Sequence, residues 1–198
     1  LLGTYLERRL GDLIPGVQFR IAVANGLGTA DARSAAVSRE LLGAGVRLEH
    51  RPDGRPVLSS GAGFSVSHGG ALTLAVTSPD PVACDVQIVE ARDPSTWRGL
   101  LGADYSALAR ELARELHEDA SIASTRAWCA VECLKKCGAA FDAPLTIVER
   151  HGDGWVVLRS GAQTIATLAT DAAKEGSTLV LAVLGVPPVP ASMGPSAT

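Results

Sequence analysis

Four short segments between Gly54 and Gly138 carry residue types that can do chemistry: Gly54-Arg55-Pro56, Phe64-Ser65-Val66-Ser67-His68, Cys84-Asp85-Val86-Gln87, and the run from Trp128 to Lys136. In this order they supply a cationic turn, a histidine beside a Gly-Gly turn, an acid on an alternating apolar stretch, and an acid one helical turn before a lysine. This set is suited to holding a magnesium diphosphate and moving a phosphoryl-linked group. Magnesium takes hard oxygen ligands, with one or two carboxylates completed by water and substrate phosphate.

Each segment makes a structural demand. If Val82 to Val89 is a strand, Asp85 and Gln87 project from one face and Cys84, Val86 and Ile88 from the other. Asp85 then fits as the anchor metal ligand on an oxygen-rich face, the plainer alternative being an acid simply solvated on a strand's polar face. On a helix, Trp128, Glu132 and Lys136 fall at i, i+4 and i+8, so they share a face with Lys135 beside them, while Ala127, Ala130, Leu134 and Cys137 take the other side. Glu132 can complete the metal site, and Lys136 can neutralise phosphate oxygens as charge builds on them. The plainer alternative is a surface Glu-Lys ion pair of small energy. With fifteen arginines and only three lysines in the chain, the paired Lys135 and Lys136 stand out.

Phe64 and Val66 are expected to seat a strand, with Ser67 and His68 at its exposed end, positioned for a phosphate. Arg51 and Arg55 flank the Pro52-Asp53-Gly54 turn, and their guanidinium forks suit a terminal phosphate. Cys129, Cys133 and Cys137 recur every fourth residue. Such a stripe on one helix face does not surround a tetrahedral ion, so these and Cys84 read as small core residues.

The elements that must position these groups alternate between strand and helix. A strand over 18–24 leads to an Ala-rich helix over 32–42 introduced by Thr29-Ala30-Asp31. Short strands follow over 57–59, 64–67, 72–77 and 82–89. Asp93-Pro94-Ser95 opens a helical region with helices over 105–118 and 122–136, ending at Gly138. Strands return over 145–148, 155–158, 163–168 and 179–184. The prediction is an α+β fold of two similar lobes, 1–93 and 94–186, each a helix on a small antiparallel sheet. A Pro-rich tail over 187–198 is expected to be disordered.

Composition narrows the function. The chain has 198 residues, 46% hydrophobic and 20% charged, with a formal charge of −3. That length can bury a proper core, and the acidic balance argues against a nucleic-acid surface. The apolar run from Leu179 to Val186, broken by Gly185, is shorter than the roughly 18–20 residues that cross a bilayer. The first residues, Leu1 to Arg9, lack an initiating Met and the basic-then-apolar order of a signal peptide. They read as the start of a domain cut from a longer cytosolic polypeptide.

The four motifs, in this order, resemble those of the 4'-phosphopantetheinyl transferases of the two-lobed, surfactin-synthetase-activating type, over about 51–138 and the strands beyond. Within that family the chain looks closest to the transferase domains at the C-terminal end of enediyne polyketide synthases. The resemblance implies a pseudo-dimeric fold and Mg2+-dependent transfer of the phosphopantetheine arm of coenzyme A to a serine of an acyl carrier protein. It implies that Asp85, Glu132 and Gln87 hold Mg2+, that His68 and Lys136 contact phosphates, that Arg51 and Arg55 bind the nucleotide 3'-phosphate, and that Ser67 frames the pocket. Glu132 or a metal-bound water would accept the serine proton. Two positions depart from the family pattern. Gln87 stands where many members have Glu, and Val131 where a lysine usually precedes the helix glutamate. They keep open a non-catalytic module that grips CoA or a carrier protein. A metal-dependent phosphohydrolase using the same acids is a further alternative.

Overall fold

Thr29, Asp93 and Asp119 start three of the four helices among the described residues by the same device, a side-chain oxygen that accepts backbone N–H groups of the first turn. The computed structural model describes residues 2–26, 28–42, 45–51, 56–140, 142–171 and 177–188. The elements are α1 (Leu2–Leu13), β1 (Arg20–Asn25), α2 (Ala30–Leu41), β2 (Leu48–His50), β3 (Pro56–Leu58), β4 (Gly63–Gly69), β5 (Leu72–Ser78), β6 (Val82–Ile88), α3 (Pro94–Leu116), α4 (Ala120–Lys136), β7 (Thr146–Arg150), β8 (Trp155–Ser160), β9 (Gln163–Asp171) and β10 (Thr178–Gly185). The class is α+β with antiparallel sheets. No helix among the described residues is long and apolar enough to cross a membrane.

The strands form sheets in the orders β1-β5-β4, β6-β10-β9-β8-β7 and β2-β3. The strand that carries Asp85 therefore pairs with the last strand of the chain, Asp85 opposite Ala182. Helix α2 lies on β1 and β5, and α4 lies on β10, β6 and β9. One apolar core runs under both large sheets, joining Leu6 and Leu10 of α1 and Leu74 of β5 to Val86 of β6, Trp155 of β8 and Leu181 of β10. A second, between α4 and the five-stranded sheet, contains Ala83, Cys129, Cys133, Val180 and Ala182.

Helix α1 was not anticipated from the sequence. Its apolar residues Leu6, Leu10 and Leu13 fall at i, i+4 and i+7 and are buried, a helical period inside a segment that reads first as a chain start. Arg9 pairs with Asp153 at 3.0 Å and ties α1 to the turn before β8. The helix expected to begin at residue 105 starts at Pro94, and Gly102, with φ 70°, bends it into two arms. At the end of α4, Gly138 with φ 79° lets Ala139 N donate to Leu134 O at 3.0 Å. Arg55, Gly54 and most of the 187–198 tail lie outside the described residues.

Strands β4 and β6 meet edge to edge without a backbone ladder. Instead the hydroxyl of Ser65 accepts the N–H of Cys84 at 3.1 Å, and that of Ser67 accepts the N–H of Val86 at 3.2 Å. The alternating serines satisfy the donors of a strand edge that is otherwise buried. A Cβ on Gly69 would come within 3.0 Å of Val86 O, so glycine is what permits the close approach.

Candidate functional site

The seam brings three of the sequence motifs to one point. Asp85, 3% exposed, sits beneath α4. Its Oδ1 accepts from Ser67 Oγ at 2.9 Å and from Lys136 Nζ at 2.9 Å, while the same ammonium donates to Cys84 O at 2.7 Å. Gln87 Nε2 donates to Asp85 Oδ2 at 3.3 Å. The oxygen-rich face is therefore buried, which removes the alternative of a solvated acid, because α4 covers the side of β6 that carries Ala83 and Asp85. Ser67 differs from expectation. It is 8% exposed and built into the seam, whereas the neighbouring His68, pointing the other way along the strand, is exposed.

Burial alone works against the Lys136 ammonium. The charge and hydrogen bond of Asp85, together with the neighbouring Cys84 and Cys133, outweigh it and hold the lysine above its ordinary pKa.

Trp128, Glu132 and Lys136 form one half-buried stripe on α4, as the i, i+4, i+8 spacing requires. Lys135 donates to Glu132 Oε1 at 2.8 Å, and its ammonium lies 4.9 Å from the centre of the Trp128 ring. Trp128 and Gln87 line a common cavity of about 250 Å³. Lys136 instead lines a larger cleft of about 580 Å³ with Arg51, Ser65 and Cys137. Glu132 lies on α4 between Trp128 and Lys136.

No group of three or more His, Cys, Asp or Glu side chains able to hold a metal occurs among the described residues. The two carboxylates expected to hold Mg2+ are each paired with a lysine, Asp85 with Lys136 and Glu132 with Lys135. Asp85 and Glu132 would supply carboxylates, with water and phosphate completing the shell. Asp85 Oδ1 is already engaged by Ser67 and Lys136, which leaves Oδ2 as the oxygen for a cation. Gln87 presents its NH2 group to that oxygen, so it would serve as a metal ligand only after its amide turns over.

Arg33 is a functional candidate that the sequence reading missed. Half-buried on α2, it donates to Thr73 Oγ1 at 3.0 Å, to Gly70 O at 2.8 Å and to Gly28 O at 2.5 Å. These bonds fix the Gly69-Gly70 turn that follows His68. A lone arginine in an Ala-rich helix gives little signal of such a role. Arg51 is exposed on the wall of the larger cleft, and its partner in the sequence argument, Arg55, lies outside the described residues.

The cysteine stripe divides. Cys84, Cys129 and Cys133 are buried, as expected of core residues, but Cys137, one position past α4, is half-buried on the cleft wall. Burial pushes the Cys84 thiol up to about 11, with Lys136 pulling against the shift, and carries Cys129 and Cys133 well above the ordinary value. A thiol reagent at pH 8 is expected to modify Cys137 in the native protein and the other three only after denaturant is added, read by peptide mass. Because the folded thiols bind protons that the unfolded ones release, their contribution to stability is intact below pH 9 and lost as pH rises toward 11. Urea melts at pH 8 and 10.5 measure that loss.

Protein-family models and curated protein sequences compared with the chain give no match.

Proposed function

We propose that the chain transfers the 4'-phosphopantetheine arm of coenzyme A to a serine of an acyl carrier protein, releasing 3',5'-ADP, with Mg2+ required. The observation that carries this reading is the junction of Ser67, Asp85 and Lys136, drawn from three distant motifs and seated beside a cleft that Arg51 also lines. The polyketide-synthase carrier as partner rests on the sequence resemblance.

The step is a phosphoryl-type transfer. The carrier serine Oγ attacks the CoA β-phosphorus, a P–O bond forms to the serine, and the bond to the bridging oxygen breaks, so that oxygen leaves on 3',5'-ADP. Positioning and charge neutralisation do most of the catalytic work in such reactions. Lys136, held by Asp85 and Cys84 O, sets one fixed positive charge beside the diphosphate. Glu132, half-buried next to it, takes the proton from the serine. His68, exposed on a strand end that Arg33 braces through the following turn, contacts phosphate from the other side. Arg51 engages the nucleotide end. Bound Mg2+ would draw charge from the diphosphate oxygens.

Intact-mass analysis of apo carrier protein mixed with the chain, CoA and Mg2+ tests the proposal. The carrier is expected to gain one phosphopantetheine, and Glu132→Gln is expected to prevent the gain. No gain with several carriers and several divalent ions would sink the reading. CoA and Mg2+ without carrier should release no free phosphopantetheine, which a hydrolase would produce.

One observation favours a second reading. Gln87 offers Asp85 a neutral amide where a third carboxylate would strengthen cation binding, which suits a module that binds CoA or carrier without turnover. Such a module keeps CoA affinity in the mass experiment while the carrier stays unmodified.

A further inference from the structure

Both carboxylate oxygens of Asp85 face hydrogen-bond donors. Oδ1 accepts from the Lys136 ammonium and the Ser67 hydroxyl, each at 2.9 Å, and Oδ2 accepts from the Gln87 amide at 3.3 Å. Glu132, one turn earlier on α4, has the same kind of partner, with the Lys135 ammonium 2.8 Å from its Oε1. The formal charges of these two acids and two lysines cancel. The lysines have a reach that the acids lack. Their side chains are 31% and 32% exposed, whereas Asp85 is buried on β6. Lys136 lines the cleft that Arg51 shares, and Lys135 lies against the Trp128 ring. An ammonium carries three donors on a four-carbon stem, so Lys136 can keep Cys84 O and still turn toward a phosphate.

A cation or a diphosphate arriving alone is opposed by these pairs. A divalent cation that reaches Asp85 or Glu132 must turn out an ammonium, and a cluster of zero net charge offers it no long-range attraction. Magnesium, which gives up its water reluctantly, gains least. A diphosphate that draws the lysines to itself strands two carboxylates, one of them buried. When both arrive, the partners exchange. The ammonium groups pass from carboxylate to phosphate, the carboxylates pass from ammonium to cation, and no charge is left unpaired.

We propose that Lys135 and Lys136 are internal counter-ions that make a divalent cation and a diphosphate bind to this chain as a pair. Each lysine keeps its acid closed to the cation until a phosphate takes the lysine away. CoA as the diphosphate comes from the transferase reading, on which this coupling rests. The cation then has no tight site in the free protein and acquires one with CoA. Coupling between two ligands is reciprocal, so Mg2+ raises CoA affinity by the same factor.

Mn2+ binding to the full chain, read from the electron paramagnetic resonance signal of the free ion, and CoA binding, read by calorimetry, test the coupling with no carrier protein present. One Mn2+ per chain is expected to bind at least thirtyfold tighter with saturating CoA than without it, after correction for Mn2+–CoA complexes in solution. CoA should gain by a matching factor when Mn2+ is saturating. Pantetheine, which lacks the diphosphate, should give no gain. Lys135→Met removes one half-buried surface pair, a change the fold tolerates. It should tighten Mn2+ at least fivefold in the absence of CoA and shrink the coupling, while Lys135→Arg keeps the parent's weak binding. CoA binding with an Mn2+ affinity that changes by less than threefold, or a Lys135→Met variant indistinguishable from the parent, would overturn the coupling and leave the transferase reading standing. No CoA binding at any concentration of divalent ion would remove both.

Discussion

Lys136→Met is expected, on the transferase reading proposed above, to lower phosphopantetheine transfer a hundredfold to a thousandfold, with most of the loss in kcat. Lys136 touches Asp85, the backbone of β6 and the wall of the cleft at once. Removing a fixed positive charge aimed at developing phosphate charge costs about 3–4 kcal/mol of transition-state stabilisation. A second consequence separates this role from a merely structural one. Without the ammonium, Asp85 is a buried carboxylate left with hydroxyl and amide partners, so the variant should also be destabilised. Adding Asp85→Asn removes the stranded charge and should restore the denaturation midpoint while leaving transfer lost. Transfer that stays within threefold of the parent in Lys136→Met, or returns together with stability in the double variant, would show that Lys136 only props up the fold.

The sequence made this site legible because its residues obey strict periods. The i, i+4, i+8 spacing of Trp128, Glu132 and Lys136 sets a helix face regardless of context, and the alternation in β6 separates Asp85 from Cys84 and Val86. Depth was not legible. Whether an acid on a strand faces water or a helix depends on which element lands on it, and α4 is 35 or more residues away in the chain. The serines of β4 illustrate the same limit. Alternating hydroxyls look like a solvated strand face, yet they take the place of a backbone ladder at a strand edge, a use that exists only once β6 has paired with β10. Helix α1 leaves a weaker signal, since its period is carried by only Leu6, Leu10 and Leu13 over about two turns. Cys137 departs from the stripe of Cys129 and Cys133 because α4 ends one position before it.

That long-range placement also depends on a residue with no part in the site. Arg126→Met is expected to destabilise the fold by about 3–5 kcal/mol. Arg126 is 3% exposed. Its Nε is 3.0 Å from both carboxylate oxygens of Glu118, its other nitrogens donate to Thr167 O, Thr167 Oγ1 and Gly154 O, and so it pins α4 to the α3–α4 turn, to β9 and to the turn before β8. Methionine fills similar volume but leaves two carbonyls and a largely buried carboxylate unmet. The pH dependence distinguishes this cause from poor packing. Burial already pushes the Glu118 pKa up, and Arg126 is what pulls it back. With the arginine gone, the folded state holds a proton on Glu118 that the unfolded chain releases. The variant's deficit should then be smallest near pH 4.5 and grow as pH rises toward 7. Glu118→Gln in the same background should flatten that slope and recover part of the loss. A deficit in Arg126→Met under about 1 kcal/mol in urea melts at pH 7, or one that does not change with pH, would mean that α4 is held in place by its apolar face alone.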